Sequence, residues 1–414
     1  MKKAIAIIVL GLLLSSNAYT ASVDDCNGTK SNSTTVKYVC ANDDTMTVPA
    51  GIILQKNWVV VTPQANNAQR VTINNSGTIK NQGNKDANAF LGNGSGTIKI
   101  NNLTTDSTIQ GQIGGMNIGT GDDWTIDNYG KIYGVTQKAI AVKSGDNLEV
   151  TNQSGGLIRA GVLNSTTDTE INAILIWGTS SDSSEYSIIE NYGTITAARN
   201  TIKVGSYSDT TTITNYSGGV ISNTDDDGEK AAIRIDGNNV TLTNKGTISG
   251  TNTSHSIEIG GDSAPTGTKI YIDGAPTFTG EIELTNSTNA GNTTVYLGCS
   301  MTQDTTIEIH NHGGALNIEN NLCGNDTYTL STEVLDGSDS DDGYLIIDEG
   351  LEVVSNNASY RSENVLTKLK GLFSAANYID GVEPEDKFFR VFYSSVKREN
   401  MYKGSMAGVV GQLS

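Results

Sequence analysis

Residues 71–79 read VTINNSGTI, and the same phrase returns along the chain. Residues 124–132 read WTIDNYGKI, 187–195 read SIIENYGTI and 240–248 read VTLTNKGTI. Two copies carry one further residue, LEVTNQSGGLI at 148–158 and TTITNYSGGVI at 211–221. Val71 and Ile73 alternate with polar residues, which puts them on one face of a strand. Asn75 and Gly77 then break that strand. Asn bonds its own backbone, and Gly is expected to supply a positive φ. Ile79 opens the next strand. The recurring corners are Asn75 with Gly77, Asn128 with Gly130, Asn152, Asn191 with Gly193, Asn215, and Asn244 with Gly246.

The gaps between these asparagines are 53, 24, 39, 24 and 29 residues, and Asn102 in GTIKINNLT divides the first into 27 and 26. A fixed phrase at such a period is the signature of a solenoid. A second element lies between the corners: AIAVKSG at 139–145, ILIWG at 174–178, TIKVG at 201–205, AIRIDG at 232–237 and SIEIGG at 256–261. Each is an apolar-x-apolar strand closed by Gly. One such coil cannot bury its own apolar face, whereas coils stacked about 4.8 Å apart build a continuous core. The expected fold is all-β, a right-handed parallel β-helix of about 12 coils, at about 26 residues per coil. The corners are backbone devices in this reading and carry no chemistry.

Composition agrees. The chain has 414 residues with 46 Gly, only 5 Pro and 6% aromatics, which favours turn-rich β structure over helix. The formal net charge is −18. A strongly acidic surface repels nucleic acid and anionic membrane surfaces, so no nucleic-acid partner is expected. The opening MKKAIAIIVLGLLLSSNAYTAS joins Lys2 and Lys3 to an apolar run over Ala4–Leu14 and then small residues. That is a secretory signal peptide, residues 1–21, cleaved after Ala18 or Ala21 and too short to be a transmembrane helix. The four cysteines form two local pairs. Cys26 and Cys40 bracket a polar loop, and Cys299 and Cys323 stand one coil period apart. Stacked coils bring such residues within disulfide range, and in an exported protein both pairs are expected to be oxidised.

In chain order the sequence reads as a cap over 22–60 with the Cys loop, then a β-helix over 61–354 whose corners fade after 261. Residues 355–386 are a linker, and 387–414 are of a different character. SENVLTKLKGLFSAANYI at 362–379 spaces Val365, Leu366, Leu369, Leu372 and Phe373 as a helix does. KFFRVFYSSVKRENMYKGSMAGVVGQLS follows, an aromatic strand pair with an open edge. This order of signal peptide, Asn/Gly/Thr-rich β-helix, single amphipathic helix and amphipathic strands resembles a bacterial autotransporter of type V secretion. The resemblance implies a passenger, a linker helix held in a pore, and the first strands of an outer-membrane β-barrel. A closed barrel needs at least about 8 strands, so the resemblance implies a truncated product or fragment. It also implies export by the general secretion machinery, help from the barrel-assembly machinery, and display at the outer membrane and cell surface. Asn356-Asn357 is a candidate release point.

Motifs for chemistry are sparse. HExxH, CxxC and GxSxG do not occur, and only three histidines are present, His255, His310 and His312. Strand alternation sets Glu308, His310 and His312 on one outward face, as metal ligands are arranged, although a solvated face is the simpler reading. DGSDSDDG at 336–343 and TDDDG at 224–228 offer oxygens to Ca²⁺ or are plain acidic turns. β-Helix polysaccharide lyases and hydrolases need clustered carboxylates or a Lys/Arg base on adjacent coils; here the acids read as scattered. Trp124 and Trp177 read as core-strand residues instead of sugar platforms. The expectation is a non-enzymatic passenger without cofactor or metal, adhesin-like, with surface glycans or other cells as partners. A β-helix polysaccharide enzyme and a structural surface-layer protein are the alternatives.

Overall fold

In the computed structural model, residues 23–349 are described apart from Asn42, Trp58, Ser144 and segments 64–69, 84–87, 94–95, 121–122, 162–170, 180–183, 225–229, 252–254, 313–315, 321–326 and 335–341; so are strands Phe389–Arg398 and Tyr402–Gly411. The chain divides into two units, Met1–Glu352 and Val353–Ser414. The first is a parallel β-solenoid.

Three sheets run along it. The first has 14 strands, the second 12 and the third 9. Nine turns therefore carry a strand on every face, and three further rungs extend the first two sheets. Every strand pair between consecutive coils in the second sheet is parallel, and the phrase residues fall in register. Val71, Ile98 and Trp124 stack in one column; Ile73, Ile100, Ile126, Val150, Ile189, Ile213, Leu242, Ile270 and Val295 stack in the next. The third sheet stacks Leu54, Ile79, Ile109, Ile132, Ile158, Ile195, Ile221 and Ile248 in the same way. All of these are buried, each worth roughly 1.5–3 kcal/mol relative to exposure. Trp124 fits this aliphatic core because Gly92 faces it, where a Cβ would stand 2.2 Å from the indole ring.

The ends differ from the sequence reading. Within residues 22–60, read as the N-terminal cap, Val23–Asp25 pairs parallel with Lys37–Cys40, and Thr45–Val48 and Ile53–Lys56 pair parallel with the following coil, so its described strands continue the three sheets. The Cys26–Cys40 disulfide joins two successive rungs, with Cα atoms 4.6 Å apart. Cys299 is also disulfide-bonded; its expected partner, Cys323, lies outside the described residues. At the other end, parallel pairing continues through Thr305–His310 and Asn317–Glu319. Tyr328–Val334, read from sequence as another divergent coil, instead forms an antiparallel pair with Asp342–Glu349, which lies antiparallel on Thr305–His310. Leu330, Leu345 and Ile347 are buried there, so this hairpin covers the edge that the last parallel strand would leave open. A helical turn, Ser287–Asn292, sits between two coils. No helix among the described residues is long and apolar enough to cross a membrane.

The described residues of the second unit form one ribbon. Phe389–Arg398 and Tyr402–Gly411 pair antiparallel over their full length, from Phe389 with Gly411 to Arg398 with Tyr402. The helix positions Val365, Leu366, Leu369, Leu372 and Phe373 lie outside the described residues, as does Asn356-Asn357.

Candidate functional site

The corner asparagines form one ladder. Asn75, Asn102, Asn128, Asn152, Asn191, Asn215 and Asn244 are fully buried, and each Nδ2 up to Asn215 donates to Oδ1 of the next rung at 2.8–2.9 Å. The same amides reach a carbonyl of the next coil, for example Asn215 Nδ2 to Thr247 O at 3.0 Å. Oδ1 also accepts the N–H two residues on, at Gly77, Gly193 and Gly246, at 3.2 Å. The ladder ends at Asn244. The next coil places Ile272 beside it, and Asn244 Nδ2 is buried without a partner.

The glycines of these corners work differently from the sequence expectation. Gly77, Gly130, Gly193 and Gly246 do not use positive φ. A Cβ at Gly193 would stand 2.4 Å from Gly156 O and 2.5 Å from Gln153 O, and Gly246 meets two carbonyls at 2.5 Å in the same way. These glycines are required by coil-to-coil contact. Among the six copies of the phrase, the two with an extra residue add a left-handed glycine, Gly155 (φ 82°) and Gly218 (φ 81°). A second corner went unread. Asp43, Asp123, Asn147, Tyr186, Thr210, Asn239 and Gly267 each take positive φ just before a strand or bridge of the second sheet. Asp, Asn and Gly tolerate this conformation, whereas Tyr186 and Thr210 are strained in it.

The ionisable residues are not scattered. On the outward face of the first sheet, register stacks Lys203, Arg234, Glu258, Glu283 and His310 in one column. Arg234 is its hub: Nε lies 3.0 Å from Asp236, Nη1 3.4 Å from Glu258 and Nη2 2.7 Å from Asp262. Lys203 Nζ lies 2.7 Å from Asp262 and 3.7 Å from Asp236. Asp236 is buried, and Glu258 Oε2 is buried without a hydrogen-bond partner. Burial raises the Glu258 pKa, and Arg234 only partly offsets this. The hydrogen bond from Lys203, reinforced by Arg234, lowers that of Asp262 against the effect of burial.

The three histidines gather near the end of this column, with His255 outside it in register with Ala231. His255 Nδ1 is 2.8 Å from Glu281 Oε1; burial disfavours its charged form, but Glu281, Glu283 and Glu258 outweigh that and raise its pKa. The contact with His255 holds Glu281 below its usual range. His310 Nδ1 and His312 Nε2 each stand 2.8 Å from a different oxygen of Glu283, and their rings stack 4.1 Å apart. Glu308, grouped with them by alternation, is exposed and pairs in register with Tyr344 instead.

The chain matches no protein-family model, no curated protein and no solved structure. Its surface therefore has to be read from its own residues. Trp177, placed in the core by its strand position, is instead 40% exposed, near Tyr207 (47%). Outward rows also stack Tyr192 on Tyr216 (4.0 Å) and Tyr271 on Tyr296 (4.5 Å). A cleft of about 290 Å³ lies among Thr35, Gln55, Lys56, Asn57 and Gln82, with one titratable group. Of the two acidic turns, residues 225–228 and 336–341 lie outside the described residues.

Proposed function

We propose that this chain is the exported passenger of an autotransporter-type surface protein, a non-enzymatic β-solenoid that acts as an adhesin-like surface on the cell exterior. The observation that carries the reading is the pairing of a leader-type N-terminus with a solenoid whose repeated residues are structural. The asparagines are used by one another, and the corner glycines by coil contact. Neither is left to act on a ligand. What remains for recognition is the outer surface, with its exposed Trp177, Tyr186 and Tyr207 and its stacked tyrosines. Export suits such a fold, since coils pair locally and need no nucleotide to assemble.

In this reading residues 362–379, spaced as a helix in the sequence, are the pore linker, and the ribbon of Phe389–Arg398 with Tyr402–Gly411 is the opening strands of an outer-membrane barrel. Their two ten-residue strands have the length a barrel strand needs, about 9–11 residues. The ion network on the first sheet is the one feature that favours a polysaccharide enzyme, because it sets carboxylates and bases on adjacent coils. Its cations are already bound to its acids, which favours a structural role.

The test exposes the purified solenoid to a glycan array and to whole cells, and in parallel to polygalacturonate and related polymers. The proposal expects retention on glycans or cells with no change in polymer length. Turnover that is lost in Glu258→Gln would replace it with the enzymatic reading, and absence of both binding and turnover would leave a structural layer protein.

A further inference from the structure

We propose that Glu283, His310 and His312 form a binding site for one divalent transition-metal ion of the Zn²⁺ class at the C-terminal end of the solenoid. The three side chains come from two successive coils. Glu283 lies in Ile282–Leu284, where Ile282 and Leu284 point into the core and Glu283 points out. His310 is its register partner one rung on. His312 follows two residues later with φ 46°, a conformation uncommon outside Gly that His, like Asn and Asp, adopts more readily than most. In this bent backbone its ring stacks on His310, and its Nε2 faces the carboxylate that His310 already faces.

The ligand atoms all lie within 4.8 Å of one another. Tetrahedral Zn²⁺ with N and O ligands at about 2.0–2.2 Å needs its ligand atoms about 3.3 Å apart. The two 2.8 Å contacts must open by about half an ångström for an ion to sit between them. The cation then lies between the imidazole nitrogens and the Glu283 oxygens in place of their direct contacts. Two imidazoles and one carboxylate select borderline divalent metals over Ca²⁺ and Mg²⁺, which prefer all-oxygen sets. Glu283 is 12% exposed and His312 36%, which gives a buried anchor with an open approach.

The surroundings fit. Glu258 and Glu281 flank Glu283, His255 and Arg234 are the cationic groups nearest to them, and His255 is engaged by Glu281. His255, Glu281 and Glu283 converge as a second group that shares Glu283. These three histidines are all the chain has, and no cysteine among the described residues is free, so the His255 group is the competing imidazole location that the His255 variant separates from this one.

The experiment titrates ZnCl₂ into the chelator-treated chain, purified without a polyhistidine tag, and follows heat and thermal midpoint. The expected result is one ion per chain, an upward shift in midpoint, and no comparable response to CaCl₂. His310→Ala should weaken binding by at least about 10-fold, since even loss of a residue behind a ligand does as much. His312→Asn should do the same while keeping a residue that tolerates the left-handed backbone, so folding is preserved. His255→Ala should retain the ion. Absence of Zn²⁺ binding, or binding of equal strength in wild type, His310→Ala and His312→Asn, would overturn the site.

Discussion

At the scale of the residue, the decisive side chain is an amide. A buried Asn accepts from one neighbour and donates to the next, so loss of one rung orphans groups on both sides. Asn191→Ala removes the acceptor for Asn152 Nδ2, the donor to Asn215 Oδ1 and the acceptor for the Gly193 N–H. It should cost about 2–4 kcal/mol, read as a lowered denaturant midpoint. Asn244→Ala should cost less, because Asn244 Nδ2 donates to nothing; equal costs would contradict a ladder. The two kinds of glycine separate in the same assay. Gly193→Ala forces a Cβ against two carbonyls and should cost about 3 kcal/mol. Gly218→Ala meets nothing within 4 Å and bears only the cost of φ 81°, about 1 kcal/mol. The sequence showed both glycines as one motif. It could not separate them, because the neighbouring carbonyls belong to residues a coil away.

At the scale of the element, strand alternation was legible and register was not. Ile257, Ile259, Ile282 and Ile309 announce their inward face, and the strands are where the pattern puts them. The column Lys203, Arg234, Glu258, Glu283 and His310 depends on coils of unequal length arriving in phase. The same limit hid the partnership of His310 with Glu283 and suggested Glu308 in its place. The left-handed corner was hidden for another reason: Tyr186 and Thr210 occupy it against their preference. The network has a pH signature. Lys203 and Arg234 hold Asp262 below its usual value of 3.8, so its stabilising contribution is present above that value and is lost as pH falls through the folded-state pKa. Asp262→Asn should therefore lower the denaturation midpoint at neutral pH, and the difference from wild type should shrink as pH falls below 3.8 and through the lowered folded-state pKa. A difference unchanged by acid would remove the network from the stability account. The antiparallel hairpin at Tyr328–Val334 and Asp342–Glu349 makes a further prediction. A chain ending at residue 327 leaves Thr305–His310 without its edge partner and should self-associate on size exclusion, whereas one ending at residue 350, which keeps the hairpin, should not.

At the scale of the whole molecule, nine three-faced turns and a buried amide ladder make an object in which each coil depends on its neighbours. The repeated phrase was enough to predict that object, because its period and its alternation pointed the same way. Its ends were harder. The first coils were disguised by the Cys loop, and the last by a change from parallel to antiparallel pairing that no local residue announces. The proposed function belongs to this scale too, since the display it invokes concerns where the solenoid stands and not what any one residue does. The direct measurement is surface accessibility in intact producing cells, by proteinase K digestion and a membrane-impermeant amine label, with and without disruption of the outer membrane. The account predicts that lysines of the solenoid, such as Lys80, Lys131 and Lys269, are labelled on intact cells. Labelling only after the outer membrane is broken would contradict it.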